Sequence, residues 1–327
     1  MLTLTVLICT HNRVALLART LTSLNAAARP RDWLGRILVA ANNCCDGTHE
    51  FLDSYRREAP KNGWLPLDWF AEPTPGKSHA LNSALPRITG DLVAFVDDDH
   101  RVDAGYLEAV CAAADRYPQA SLFCGRILPD WDGNEPAWVH DKGPYRIYPL
   151  PVPRFDLGDV SRAVTAELAI PGGGNLFVRT DWLSRVGRFN PDLGPTGHDL
   201  GGSEDMDWVL RALQLGAQLQ YIPDAIQHHY VDTSRLTLPY IIKKAYKRTA
   251  STVLLDPRLQ GHKAPRYLYR KLAGYVLATL TATGRARRRF YLVRTAATLG
   301  EFSGYRQRGK RGMPPHTILA HQPDRNA

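Results

Sequence analysis

Two acidic groups in this chain are placed for chemistry. The first, Asp97-Asp98-Asp99, follows directly on the apolar run Leu92-Val93-Ala94-Phe95-Val96. Three adjacent carboxylates repel one another, and a hard divalent ion such as Mg2+ or Mn2+ carried on a diphosphate offsets that repulsion. The second, Glu204-Asp205, follows Gly201-Gly202-Ser203 and precedes the helical stretch Trp208–Leu213. Ser203 can cap that helix, and carboxylates in a first turn are favoured by the helix dipole. Capping does not explain a glycine pair just ahead of two carboxylates. A general base at a mobile loop–helix junction, taking a proton from a hydroxyl, does. Between the two groups, Pro171-Gly172-Gly173-Gly174-Asn175 removes side chains where the backbone approaches a ligand or another strand closely. His228 and His229 are adjacent, so on an extended chain only one of them faces a given site.

These groups need elements to hold them. The run before Asp97 reads as a strand buried on both faces, as in the middle of a parallel sheet, and ligands of open α/β sheets bind at the C-terminal edge where the carboxylates emerge. A strand Thr3–Cys9 runs into Thr10-His11-Asn12-Arg13 and then a helix through Leu16, Leu17, Leu21 and Leu24. A second strand, Arg36–Ala40, ends in the turn cluster Ala41–Thr48, followed by a helix through Phe51, Leu52 and Tyr55. Pro73-Thr74-Pro75-Gly76-Lys77-Ser78 forms a rigid turn ahead of the helix Ala80–Leu85. The βαβαβ order predicts a right-handed, mostly parallel sheet with helices on both faces. No G-x-G-x-x-G follows the first strand and no G-x-x-x-x-G-K-[ST] occurs, so the usual dinucleotide and P-loop cradles are excluded. Pro129–Asp159, with six prolines and several aromatics, reads as a long loop whose rings either stack on sugars or pin the loop to a core.

Composition bounds the rest. The 327 residues are 44% hydrophobic and 22% charged, as in a soluble globular chain. Five cysteines, odd in number and without a C-x-x-C pair, fit a reducing cytoplasm. The opening Met1–Ile8 reads as a strand without the basic n-region and cleavage site of a signal peptide, and no apolar run is long enough to span a bilayer. Charge divides sharply. Residues 235–327 carry 20 Lys and Arg against 3 Asp and Glu, a net +17, whereas residues 1–234 carry 21 against 29, a net −8. The break places a domain boundary between residues 234 and 235. Beyond it, Arg235–Thr249 sets Leu238, Ile241, Ile242 and Ala245 opposite Lys243, Lys244, Lys247 and Arg248. The apolar stretch Leu268–Thr283 is followed by Arg285, Arg287, Arg288 and Arg289. Such a basic helical region suits either an anionic membrane surface or packing as a solvated appendage. No nucleic-acid recognition motif accompanies the charge.

Taken in order, five segments resemble family 2 glycosyltransferases, the inverting nucleotide-sugar-dependent enzymes of the GT-A fold, over roughly residues 1–234. Val6–Arg13 looks like the family's opening strand and P-T-Y-N-R turn. Asn42–Thr48 is similar to its D-[DN]-x-S-x-D-G-T turn, and Gly76–Asn82 to G-x-x-x-A-x-N. Asp97-Asp98-Asp99 stands for the D-x-D. Glu204-Asp205 stands for the E-D, with Tyr221–Ala225 and His229 after it. The chain departs at Ala41, where many members carry Asp, at Cys44-Cys45, and at His100 after the acidic triplet.

The resemblance implies roles. Thr10, Asn12 and Arg13 line a nucleotide pocket, with Asn42 beside the base and Lys77 near the base or diphosphate. Asp97 lies by the ribose with Asp98 in the donor site. Asp99 binds the cation, Mg2+ or Mn2+, and His229 is a further metal ligand. Asp205 is the catalytic base and Glu204 orients the acceptor. The expected reaction moves a sugar from a nucleotide sugar, a UDP-sugar first among them, to a hydroxyl of a saccharide or lipid-linked acceptor in cell-envelope or exopolysaccharide synthesis. It would take place in the cytoplasm or at the inner membrane face, with no nucleic acid as partner. Departure of a nucleoside diphosphate on one face and hydroxyl attack on the other gives inversion. The competing readings are a non-catalytic nucleotide-binding protein of the same fold with a polyanion-binding tail, and a nucleotidyltransferase.

Overall fold

A computed structural model describes residues 2–150, 152–166, 168, 171–193, 204–255 and 263–311. The first elements alternate as the apolar periodicities require: β1 Leu2–Thr10, α1 Val14–Ala26, β2 Trp33–Asn42, α2 Thr48–Asn62, β3 Leu67–Glu72, α3 Lys77–Ala84, β4 Leu92–Phe95, β5 His100–Val102, α4 Tyr106–Arg116 and β6 Leu122–Asp130. Then follow β7 Arg162–Val164, β8 Leu176–Arg179, α5 Asp181–Val186, α6 Glu204–Gln214, β9 Leu219–Tyr230, α7 Leu238–Leu255, α8 Arg266–Leu280 and α9 Arg285–Arg311. In α1 the buried residues Leu17, Thr20, Leu21 and Leu24 recur at helical spacing, so one stripe faces the sheet. Gly63, at a φ of 63°, ends α2 in the left-handed conformation that glycine adopts without strain.

Among the described residues the strands join into one sheet in the order β3-β2-β1-β4-β8-β6-β9-β5, with β7 pairing β9. The parallel character expected from sequence belongs to the first half, where β1 pairs β2 and β4 and β2 pairs β3. There β8 enters antiparallel between β4 and β6, which reverses direction twice and leaves β4, β6 and β9 pointing the same way. The C-terminal ends of β1, β2, β4 and β9 therefore share one edge. All four residues of β4 are buried. Between Gly125 and Arg126 of β6 the pairing with β9 jumps from Ile222 to Ile226, so Pro223, Asp224 and Ala225 form a bulge. Gly125 permits it, since a Cβ there would stand 2.1 Å from the carbonyl of Ala225.

The chain divides into two compact units, Met1–Asp130 with Pro153–Val231, and Trp131–Val152 with Asp232–Ala327. The second begins at Asp232 and also takes in the loop Trp131–Val152, which the charge break at residues 234 and 235 assigns to the first part. Ring contacts account for this. Arg289 lies 4.7 Å from the centre of the Trp138 ring and donates to Asp141 at 2.7 Å, while Tyr145 packs edge-on against Phe290. Within this unit α7 and α9 pack at short range. A Cβ on Gly300 would meet the Tyr246 carbonyl oxygen at 2.2 Å, and one on Gly304 the Ala250 carbonyl oxygen at 2.6 Å. No described helix is long and apolar enough to cross a membrane.

Candidate functional site

The shared sheet edge gathers the residues singled out from sequence. Because β4 is short and buried, Asp97, Asp98 and Asp99 leave it together and diverge. Asp97 accepts from the Lys77 ammonium at 2.6 Å; Lys77 opens α3, just after the Pro73–Gly76 turn. That turn is held by Asn42, whose amide donates to the carbonyls of Glu72 and Thr74 and accepts from the Gly76 N–H. Asn42 thus positions Lys77 and has no amide hydrogen left for a ligand. Asp98 turns inward and is 5% exposed. It accepts from Thr10 Oγ1 at 2.7 Å and from Arg13 at 3.2 Å, and the Thr20 hydroxyl donates to its carbonyl. Thr10 and Asp98 are therefore committed to each other, and it is Arg13, whose side chain is 47% exposed, that reaches outward from this pair. Arg13 also donates to Asp99 Oδ2 at 2.9 Å. Asn12, at a φ of 52°, accepts from the Cys45 N–H and ties the first turn to the second.

The electrostatics separate Asp97 from Asp98. Burial alone would push Asp97 up, but Lys77 and His100 hold it well below the ordinary carboxylate range. Asp98 is pushed up to about 6, by burial first and by the charge of Asp99 next, with Arg13 opposing. The Lys77 ammonium, which burial by itself would lower, is held above its usual value by Asp97, Glu204 and Asp205. Burial also raises Glu204, and the neighbouring Asp205 adds to the effect. Its Oε2 has no hydrogen-bond partner among the described residues.

Residues 172–174 join the acidic groups. The Gly173 N–H donates to Asp205 Oδ2, and a Cβ on Gly173 would stand 2.9 Å from the Asp205 Cβ. A Cβ on Gly174 would stand 2.7 Å from both Asp97 Oδ2 and His100 Cε1. The close approach anticipated from the glycines is thus to the protein's own acidic residues, with Asp205 on one side and Asp97 on the other. Lys77, Asp97, Gly173 and Asp205 line one cavity with Cys9, Leu7 and Phe189. Gly201, Gly202 and Ser203, read as the flexible approach to the α6 carboxylates, lie outside the described residues.

On the far side of Asp97, Asp99 faces two histidines. His229 Nε2 is 3.7 Å from Asp99 Oδ2, and His100 Nε2 is 3.9 Å from Asp99 Oδ1. The donor atoms of all three residues lie within 4.8 Å of one another. Ligands about 2.1 Å from one ion stand about 3–4 Å apart, so small adjustments would close this set around a cation. His228 faces away and pairs with Asp103 at 3.0 Å, which resolves the choice between the two adjacent histidines. His100 was not among the candidates from sequence. It is 2% exposed and pairs directly with His229 in the β5–β9 ladder. The local signal, a histidine after an acidic triplet, is weak without that pairing.

Comparison with known proteins gives the family and the fold. A family profile described as Glycosyl transferase family 2 matches residues 5–185. The chain is 26% identical over 241 residues to the succinoglycan biosynthesis protein ExoM of Rhizobium meliloti, covering 73% of this chain and 71% of that one. It is 22% identical over 185 residues to a glucosyl-dolichyl phosphate glucuronosyltransferase of Haloferax volcanii, covering 55% and 56%. Among solved structures, S. aureus TarS has a TM-score of 0.54 at 16% identity; 93% of this chain is covered but only 55% of TarS. A mannosyltransferase from Pyrobaculum calidifontis in complex with GDP-Man and Mn2+ has a TM-score of 0.53 at 17% identity, covering 90% and 86%. These structural likenesses establish the GT-A fold. With the family profile spanning more than half its length, the chain belongs to glycosyl transferase family 2.

Proposed function

We propose that this glycosyltransferase moves a sugar, with inversion, from a nucleoside diphosphate sugar to a hydroxyl of a saccharide or lipid-linked acceptor. One observation carries the reading: consecutive glycines, 173 and 174, touch Asp205 on one side and Asp97 with His100 on the other. A candidate base, Asp205, and the Lys77–Asp97 pair beside His100 thereby flank the same stretch of backbone. Asp205, held by the Gly173 N–H, accepts the proton of the attacking hydroxyl. Glu204, buried beside it with a free carboxylate oxygen, orients the acceptor. Lys77 and Arg13, which pair with Asp97 and Asp99, are the cations for a diphosphate, and Asp97 takes the ribose in this reading. Asp99 and His229 would hold a divalent cation, and the donor set fits one: a carboxylate oxygen faces an imidazole nitrogen at 3.7 Å, beyond direct hydrogen-bonding range. Such an ion, when bound, offsets charge on the departing diphosphate. UDP-sugars are the first donors to try, since TarS is known with UDP and with UDP-GlcNAc. A place in polysaccharide synthesis follows the likeness to the succinoglycan protein.

The second unit supports peripheral contact with an anionic membrane at the inner face. Along α8, Tyr269, Val276, Leu277 and Leu280 are all exposed on one helical face, with Arg266 and Arg270 also exposed near the start of the helix. Of the four arginines near the start of α9, Arg285 and Arg288 are exposed, whereas Arg287 and Arg289 pack on aromatic rings of the same unit and are less available to lipid.

Calorimetry with UDP-, GDP-, dTDP- and CDP-sugars, with and without Mn2+, tests the donor site. One nucleotide should bind in a metal-dependent manner, and Asp99→Ala should remove that dependence while the melting temperature stays within a few degrees. Unchanged affinity and metal dependence in Asp99→Ala would remove the assignment.

A further inference from the structure

His100 is tied into a chain of buried hydrogen bonds that fixes which of its nitrogens is free. Its first link is Asn175, whose amide nitrogen donates to the backbone carbonyls of Arg126 at 2.9 Å and Ala225 at 2.8 Å. Carbonyls only accept, so the orientation of that amide is settled and its oxygen faces the other way. Gln227, 0% exposed, donates through its amide nitrogen to that oxygen at 3.1 Å and to the Phe95 carbonyl at 3.3 Å. Its own oxygen must then face His100 Nδ1, 2.5 Å away. An amide oxygen only accepts, so Nδ1 carries the hydrogen and Nε2 presents a bare lone pair. Nε2 lies 3.9 Å from Asp97 Oδ2 and 3.9 Å from Asp99 Oδ1, beyond hydrogen-bonding range of both. His229 repeats the arrangement: its Nδ1 is 2.6 Å from the Tyr230 carbonyl and donates to it, and the Nε2 of the neutral ring then turns its lone pair toward Asp99. In the neutral rings two lone pairs and a carboxylate converge on one point, with the Arg13 guanidinium on Asp99 Oδ2 offsetting part of that charge from one side.

We propose that His100 is a third protein ligand beside Asp99 and His229, and that the resulting two-imidazole, one-carboxylate set selects a transition-metal dication such as Mn2+ over Mg2+. This deepens the proposed function and rests on its metal site, not on its acceptor chemistry. Imidazole nitrogen is a better ligand for first-row transition ions, Mn2+ being the weakest binder of that series, than for Mg2+, which is served best by carboxylate, carbonyl and water oxygens. Gln227 is a positioning residue in this scheme: it holds the tautomer and ring angle of His100, the task commonly given to the outer partners of a ligating histidine. Arg13 competes for Asp99 Oδ2, but its half-exposed side chain can leave, and the Oδ1 side of Asp99 facing His100 stays open.

The test uses the full chain loaded with Mn2+ alone, then with Mn2+ and UDP, and counts the nitrogens on the ion by pulsed electron paramagnetic resonance. Wild type should show two directly bound nitrogens and His100→Asn one, with the preference for Mn2+ over Mg2+ in competition titrations falling about tenfold or more. Gln227→Leu should weaken Mn2+ binding about 10- to 100-fold, and Gln227→Glu, which still accepts from Nδ1, should recover most of it. One nitrogen in wild type overturns the proposal without any variant. So does a His100→Asn protein that keeps two nitrogens and its metal preference while only its melting temperature falls. Two nitrogens with no binding of any nucleoside diphosphate would leave this metal site standing and sink the transferase reading instead.

Discussion

Both units bring parts closer together than side chains would allow, and they do so for different ends. In the first, Gly173 and Gly174 are bare because Asp205, Asp97 and His100 occupy the space where a Cβ would stand. In the second, Gly300 and Gly304 are bare because the α7 backbone and Val253 occupy it. The first set juxtaposes charged groups that would otherwise be kept apart by packing. The second is a helix crossing, in which close approach contributes dispersion contacts and the bond from Thr249 Oγ1 to the Ala297 carbonyl at 2.6 Å. The same residue type therefore marks a chemical centre in one unit and a packing seam in the other. Only the identity of the opposing atoms tells them apart.

The contrast can be broken at four places. The largest effect belongs to Asp205→Asn. Donor binding should persist and transfer should fall by about 10²–10⁴, because the amide cannot take the proton; a single-turnover assay at the parental rate would return Asp205 to helix capping. Next comes Gly174→Ala. The new methyl displaces Asp97 and His100 by a fraction of an ångström, which in a positioned site costs about 10²-fold in transfer, beside a stability loss of about 1–3 kcal/mol from overpacking. If stability collapses and residual activity per folded molecule is normal, the glycine belongs to packing after all. Gly304→Ala sharpens the other side: overpacking against Ala250 and Val253 should destabilise the helical unit by about 1–3 kcal/mol. Denaturation should show that loss with nucleotide affinity unchanged in the folded protein.

The smallest effect is a pH dependence. Asp98 is pushed up to about 6 from an ordinary 3.8. A carboxyl raised in the folded state contributes its stability below the unfolded value and loses it as pH climbs through about 6. Asp98→Asn, neutral throughout, should therefore gain on wild type between pH 4 and pH 7.5 by about 1–2 kcal/mol. Parallel melting curves across that range would show that Arg13 neutralises Asp98 more fully than its geometry suggests.

What the sequence made legible was local. The runs Val6–Cys9 and Leu92–Val96 announce their strands, and Asp97–Asp99, Lys77 and Glu204-Asp205 announce the chemistry at the strand ends, since a buried strand and the turn after it are encoded within about ten residues. Long-range pairing was not legible. Nothing near His100 shows that β5 will lie against β9 and set His100 opposite His229, 129 residues away. The partners of the glycine triplet were equally hidden, because Gly173 meets a carboxylate 32 residues further on. Thr10 and Asp98 look like ligand contacts in a motif, yet they satisfy each other in the fold. The loop Trp131–Val152 was read with the acidic part by position in the chain, whereas its rings find arginines of α9.

The bulge at Pro223–Ala225 has a consequence for how this chain tolerates change. Three residues without partners on β6 are an odd number, so they invert the phase of everything after them: on an unbroken strand Gln227 and His229 would point to the opposite face, and His228 would point toward Asp99. The Ala225 carbonyl that accepts from Asn175 belongs to the same bulge. A substitution at the exposed Asp224 leaves that phase intact, while the gain or loss of a single residue in the bulge exchanges one histidine for the other and withdraws the glutamine from its network. In this family member the facing of these side chains is written in the reading phase of one strand as much as in the letters along it.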